Sequence, residues 1–302
     1  IAVNMATLRG FGSKYVALGI LQGMQAIDQD NVFDLWVPAT WTQEELHAAP
    51  RNARVRRIEA GFCNKLVNEN WGIRRSARHE KYNCLFSLGD TGTVASSIPH
   101  LLLVQQPYLA YPSAELDFSL PKGFRLKLRT MQLYFRLGMA KVSLFTVQST
   151  VMARRLCEKW GMRPERVKVI PTGISCAPIE EVPDKNSQPS VCYVASASPH
   201  KNHAVLAPMI SCLARKWPRI MCYVTVSPSQ VPELLAQVQR LKVEQHFSFC
   251  GALSYEHSID LIRNSSVSVI PPKLESFGIP YYEAMAQGRP LVVADRDLAQ
   301  DA

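Results

Sequence analysis

The feature that most constrains this sequence is a regular alternation of short apolar runs with stretches of helical spacing, broken once by a segment without periodicity. Such alternation is the sequence form of a parallel sheet covered by helices, because parallel neighbours need a long crossover and a helix supplies it. Strands are expected at 1–5, 32–37, 84–88, 101–104, 144–147 and 167–170, with helices that include 14–27 and 151–160. From Ser175 to Ser190 the pattern gives way to Pro and polar residues. A second series then runs through strands at 191–195, 221–226, 247–249, 267–270 and 291–294, separated by helices near 203–216, 232–241, 256–264 and 281–287. The expected fold is therefore α/β, with two Rossmann-like doubly wound domains facing a cleft: 1–176, a linker at 177–190, and 191–302. A length of 302 residues fits two cores better than one.

Composition excludes several classes. Hydrophobic residues make up 47% and charged residues 20%, as in globular proteins. Eight cysteines stand singly, without a CxxC pair, which reads as reduced thiols in a cytoplasmic protein without a zinc site. No apolar run approaches the ~18 residues that cross a bilayer, so the chain is expected to be soluble or peripheral. The net charge of +9 is concentrated in three places: Arg51 to Arg57, Arg74 to Arg78, and Lys122 to Lys141. In the third, Leu126, Leu128, Met131, Leu133 and Phe135 alternate with the cations. Such a helix either lies on the anionic inner face of a membrane or is a solvated helix with its apolar side in the core. Nucleic acid is not expected, since no recognition-helix, zinc-finger or RNP-like signature accompanies the charge.

The most informative segment is 271–290. Pro280 suits a first helical turn, Gly288 a left-handed stop, and Pro290 bars continuation. The helix start at Gly278 and Ile279 presents free N–H groups and a positive dipole end, which favour a phosphate that small Gly278 lets come close. Glu275 and Glu283 bracket this anion site. A carboxylate beside a diphosphate repels it, so these two make sense as acceptors for vicinal hydroxyls of a sugar and a ribose. Taken alone, the pair also fits a loop glutamate and a helix-start glutamate answering the dipole.

The stretch Glu275-Ser-Phe-Gly-Ile-Pro280 followed by Glu283-Ala-Met-Ala-Gln-Gly288-Arg-Pro290 resembles the E-x7-E signature of GT4-type retaining glycosyltransferases, enzymes of GT-B fold that use UDP-, GDP- or ADP-sugars. Ser196-Ala-Ser-Pro-His200-Lys201-Asn202, Phe249-Cys-Gly251 and Val169-Ile-Pro-Thr-Gly173 fall in the family's order. The resemblance implies that Glu283 holds the ribose, Glu275 the transferred sugar and Lys201 the diphosphate. It also implies that the amides of Ser276, Phe277 and Gly278 bind sugar or diphosphate, and that Gly251 lies near the base. Thr7-Leu-Arg9-Gly10-Phe-Gly12-Ser13 resembles the family's glycine loop lining the cleft; Tyr15 stands where a dinucleotide fingerprint needs glycine, so NAD is not expected.

Three departures stand out. Ser196 occupies the place of an arginine found beside the diphosphate in many members. Val104-Gln105-Gln106-Pro107 stands where many have a histidine, leaving Gln106 to donate to a hydroxyl. Members usually continue past the position of Ala302 through helices that pack back on the first domain, so the chain reads as C-terminally truncated. No glycosidase-type carboxylate pair, cofactor or metal is expected, because retaining members use the leaving phosphate to guide the acceptor hydroxyl. Asp295-Arg-Asp297 reads as a strand-end turn rather than a metal motif. The resemblance thus points to a hexosyl transfer onto a glycan or lipid-linked saccharide in cell-envelope polysaccharide synthesis. A non-catalytic GT-B-like nucleotide-sugar-binding protein and a nucleotide-sugar epimerase are the alternatives.

Overall fold

The computed structural model describes the chain except for residues 9, 29, 60–66, 95, 117, 119, 180–187 and 302, and the side chains of 11, 68 and 69. The expected linker at 177–190 thus lies largely outside the described residues. The chain divides into two compact units, Ile1–Glu115 with Leu120–Gly173, and Leu116–Ser119 with Ile174–Ala302.

In the first unit seven strands form one parallel sheet in the order β3-β2-β1-β4-β5-β6-β7. They are β1 Ala2–Asn4, β2 Phe33–Pro38, β3 Ala53–Ile58, β4 Leu85–Ser87, β5 His100–Leu103, β6 Leu144–Val147 and β7 Val167–Val169. Six of the seven lie where apolar runs were read, because a central parallel strand is covered on both faces and must be apolar throughout; β1 and β2 are buried along their whole length. The seventh, β3, was not read as a strand. Its sequence Ala-Arg-Val-Arg-Arg-Ile carries three of the arginines of the first basic cluster, and it forms the sheet edge, where charge is tolerated and guards against further pairing. Arg56 turns its guanidinium onto buried Asp34 of β2, with Nε at 2.8 Å from Oδ1 and Nη2 at 2.7 Å from Oδ2. The Tyr82 hydroxyl donates to the same carboxylate. Burial pushes the Asp34 carboxyl up, but Arg56 and Tyr82 outweigh it and hold it below the usual range.

The other two basic clusters are helical. Helix Ile73–His79 sends Ile73 and Ala77 into a core formed with Ala2, Trp36, Tyr82 and Leu85. Helix Lys122–Gly138 buries Leu128 and Phe135. The Phe135 ring meets Phe145 of β6 at 5.9 Å and Trp160 at 5.1 Å, a contact that contributes about 1.5–3 kcal/mol through burial alone. Helix Thr150–Trp160 illustrates sequence-encoded ends: the Ser149 hydroxyl accepts from the Met152 amide at 3.2 Å, and Gly161 at φ 62° closes it.

The second unit repeats the plan with five parallel strands in the order β10-β9-β8-β11-β12. These are β8 Ser190–Tyr193, β9 Met221–Val224, β10 Phe247–Phe249, β11 Val267–Ile270 and β12 Leu291–Val293. Helices Leu206–Leu213, Pro232–Leu241, Tyr255–Asn264 and Ile279–Ala286 alternate with them, all close to their sequence-based positions. Ile259, Ile262 and Ala284 pack with Cys192 of β8. Among the described residues, no helix is long and apolar enough to cross a membrane.

Candidate functional site

In the second unit, β8 has β9 on one side and β11 on the other, so the strand order reverses at β8. In doubly wound sheets the loops beyond such a switch point diverge and leave a crevice for ligands. The loops leaving β8 and β11 carry the principal residues picked from sequence. After β8 come two short 3-10 turns, Pro199–Lys201 and His203–Val205, with Asn202 between them in the left-handed region at φ 57°. After β11 comes 271–278, leading into helix Ile279–Ala286.

Three hydrogen bonds fix the first of these loops. The Asn202 side chain donates to the Pro271 carbonyl at 3.2 Å, the Lys273 amide donates to the His200 carbonyl at 2.8 Å, and the Tyr193 hydroxyl donates to the Lys201 carbonyl at 2.8 Å. With the backbones tied, Lys201 Nζ forms an ion pair with Glu275 Oε2. The side chains are only 16% and 13% exposed, so little water screens the pair. Glu275 Oε1 accepts from the Ser276 amide at 3.0 Å. Burial pushes the Glu275 carboxyl up, but the Lys201 charge and hydrogen bond, the Ser276 amide and His200 together hold it below the usual range. It is ionised at neutral pH. His200 and His203 go the other way, pushed down to about 4 by burial and by Lys201, although Glu275 pulls His200 back up. Both are neutral beside the lysine. The His203 ring lies 4.8 Å from that of Tyr193, and its Nε2 is buried without a partner among the described residues.

Glu283 stands one turn into helix Ile279–Ala286 and is buried. Burial pushes its carboxyl up to about 7, offset in part by a hydrogen bond from Tyr255. Two carboxylates of one motif are thus held in opposite states: Glu275 fully ionised against a cation, Glu283 poised between its forms. Phe277 is buried and its ring stacks on Tyr282 at 4.8 Å.

Gly278 caps the helix at φ 79° and ψ 48°, and a Cβ there would lie 2.7 Å from Cδ2 of Tyr281. The space that glycine leaves is filled by the protein's own ring, so packing and the left-handed backbone account for the residue without a phosphate. Ile279 opens the helix half-buried. Ser196 is held by Ser198, Oγ to Oγ at 3.1 Å. Gly251, just beyond β10, has φ 70° and open space where a Cβ would stand. Asp295 and Asp297 serve helix Asp297–Asp301: Asp295 accepts from Gln300 Nε2 at 2.8 Å and Asp297 from the Leu298 amide at 3.0 Å.

The remaining candidates belong to the first unit. Gln106 caps helix Pro107–Ala110, and its amide donates to Asp90 Oδ1 at 2.8 Å beside that of Gln105 at 2.6 Å. Gly10 caps helix Phe11–Ile27 and accepts from the Ser13 hydroxyl at 3.1 Å. Gly12 has open space around it, while Arg9 lies outside the described residues. Sequence reasoning missed the loop that organises this end of the sheet. A Cβ on Gly89 would fall 2.2 Å from Thr7 Oγ1, and Asp90, at φ 64°, clamps the two glutamine amides. The pair Gly-Asp directly after a strand was the available signal.

Comparisons with known proteins agree with the fold. The structure aligns with that of WaaG, a glycosyltransferase involved in lipopolysaccharide biosynthesis, at a TM-score of 0.73 and 14% identity, covering 97% of this chain and 80% of that one. It aligns with Anabaena HepE in complex with UDP and glucose at a TM-score of 0.68 and 19% identity, covering 99% and 82%. In sequence, mannosylfructose-phosphate synthase of Agrobacterium fabrum is 24% identical over 216 residues, 65% of this chain and 47% of the relative. D-inositol 3-phosphate glycosyltransferase of Nocardia farcinica is 26% identical over 159 residues, 47% and 35%. The chain thus spans about half or less of the length of these curated relatives. The fold is that of the GT-B glycosyltransferases, two parallel-sheet α/β units. Residues 179–301, which hold the Glu275 and Glu283 motif, match the model of the family Glycosyl transferases group 1.

Proposed function

We propose that this protein is a retaining, metal-independent glycosyltransferase that moves a hexosyl group from a nucleotide diphosphate sugar to a glycan or lipid-linked saccharide. The observation that carries the reading is the largely buried Lys201–Glu275 pair on the loops that leave β8 and β11 at the switch point of the sheet. A cation shielded from water stabilises a departing diphosphate far better than an exposed one. On donor binding, the Lys201 ammonium turns from Glu275 to the diphosphate, and the released carboxylate accepts hydrogen bonds from hydroxyls of the sugar. Glu283 accepts from the ribose. The amides at Ser276, Phe277 and Gly278 and the Ser196 hydroxyl add donors toward the phosphates, and Gly251 leaves room for the base; Gln106 and the glycine loop of Arg9, Gly10 and Gly12, in the first unit, are assigned to hydroxyl binding.

The chemistry follows from that set. The leaving diphosphate takes the electrons of the glycosidic C–O bond, and its oxygen receives the proton of the acceptor hydroxyl as that hydroxyl attacks from the same face. The anomeric configuration is retained without an enzyme nucleophile. UDP-sugars are the first donors to test, because solved relatives of the same fold are described with UDP and UDP-glucose. The reaction is assigned to cell-envelope polysaccharide synthesis on the cytoplasmic side of the membrane.

The test is proton NMR of UDP-, GDP- and ADP-hexoses incubated with the protein and a panel of glycan acceptors. A product with the donor's anomeric configuration, formed in the presence of EDTA, is expected. Inversion, or a requirement for added divalent metal, would overturn the proposed mechanism.

A further inference from the structure

In the proposed reaction the Lys201 side chain moves from Glu275 to the diphosphate, while its backbone is held from both sides. Its amide donates to the Ser198 carbonyl at 2.9 Å, and its carbonyl accepts from the Tyr193 hydroxyl at 2.8 Å. Asn202 follows in the left-handed region, with its side chain on the Pro271 carbonyl. The ties differ in what they fasten. The Asn202 and Lys273 bonds join one loop to the other, whereas the Tyr193 bond joins the loop to the sheet, because Tyr193 is the last residue of β8. A group placed by a strand is held more rigidly than one placed by a neighbouring loop.

Tyr193 is built for that task. It is 1% exposed on the strand between β9 and β11, and its ring lies 4.8 Å from that of His203 at 39°. In a close-packed interior such a ring stays where it is. A phenol has one proton to donate, and this one goes to the Lys201 carbonyl. Burial, with the charges of Glu275 and Tyr281 adding to it, pushes the phenol well above its ordinary value, so the hydroxyl keeps its proton at neutral pH. Core packing alone does not ask for that hydroxyl. A phenylalanine would fill nearly the same volume and bring no polar oxygen to be satisfied in the interior.

We infer that Tyr193 is a positioning residue for the transfer, a role that rests on the donor site proposed above. It pins the Lys201 backbone to the sheet, so the ammonium passes from Glu275 to the diphosphate by rotation about side-chain bonds alone. Without the hydroxyl the turn that carries Lys201 shifts, and the ammonium meets the diphosphate in poorer geometry. The groups assigned to ribose and base, Glu283 and Gly251, stand on other elements and are left as they were.

The test is calorimetric titration of UDP and UMP, GDP and GMP, and ADP and AMP into wild type, Tyr193→Phe, Lys201→Met and the double variant, each checked for folding by circular dichroism. The wild type should favour one diphosphate over its monophosphate. Tyr193→Phe should cut that preference roughly tenfold with the monophosphate affinity unchanged, whereas a merely structural role would weaken both nucleotides alike. The double variant should bind the diphosphate as Lys201→Met does, because Tyr193 acts through the lysine and the two losses do not add. Where a lysine variant fails to fold, the Tyr193→Phe result decides by itself. A preference that Tyr193→Phe leaves intact, an equal loss of both nucleotides, or additive losses in the double variant would overturn the role of Tyr193 while the donor site stands. A folded wild type that binds no diphosphate better than its monophosphate would overturn the donor-site reading and the role of Tyr193 with it.

Discussion

Replacing Lys201 by Met keeps most of the volume of the side chain and removes its charge. Glu275 is then left in a largely buried place with the Ser276 amide as its remaining hydrogen bond. Breaking a fully buried pair by deleting one partner costs about 3–5 kcal/mol; with one amide retained and slight exposure, about 2–4 kcal/mol is expected here at pH 7. The sign with pH follows from linkage. In the wild type the folded Glu275 carboxyl titrates below its unfolded value, so the stabilisation is present above about pH 4.5 and is lost as pH falls through the folded value. In the variant, burial acts without the lysine and pushes the carboxyl up, so acidification protonates it and relieves the penalty. The two stability curves therefore converge on lowering the pH from 7 to 4. Urea unfolding followed by circular dichroism measures this directly. Equal midpoints for variant and wild type at pH 7, or a gap unchanged at pH 4, would refute the assigned burial and pairing.

Other expectations follow from the same unit. Glu283, pushed up to about 7, contributes stability that is complete below pH 4.5 and lost as pH rises through 7; its full effect is about 3 kcal/mol, and Glu283→Gln should flatten that slope in calorimetric scans across pH 5 to 8. Gly278→Ala meets both a left-handed backbone and the Tyr281 ring, so a loss of about 1–3 kcal/mol with a weakened nucleotide site is expected; unchanged melting would contradict the packing role. In the first unit, Arg56→Leu leaves Asp34 buried with Tyr82 as its chief partner and should destabilise by about 2–4 kcal/mol in urea titrations at neutral pH, and less in acid.

The sheet strands were legible because strands covered on both faces must be apolar along their length, and helices Pro232–Leu241 and Ile279–Ala286 because proline marked their starts. The edge strand β3 escaped for the opposite reason: three arginines in six residues read as a surface cluster, and only the partner Asp34, 22 residues earlier, turns one of them inward. The family motif gave the identities of Glu275, Glu283 and Lys201 but not their states. Lys201 and Glu275 are 74 residues apart, and nothing local encodes their pairing; it arises because β8 and β11 are neighbours. The raised carboxyl of Glu283 likewise depends on burial that no spacing reveals. Asp90 and the Gly89 contact with Thr7 were hidden because their loops meet only once β1 and β4 are side by side.

Lys201, Glu275 and Glu283 are proposed to form a nucleotide-diphosphate site. Titration calorimetry of UDP, GDP and ADP into the wild-type chain and into Glu283→Ala tests it most directly. One nucleotide should bind the wild type, and the variant, still folded by circular dichroism, should lose that binding. A folded wild type that binds none of the three, or a variant that binds as well as wild type, would contradict it.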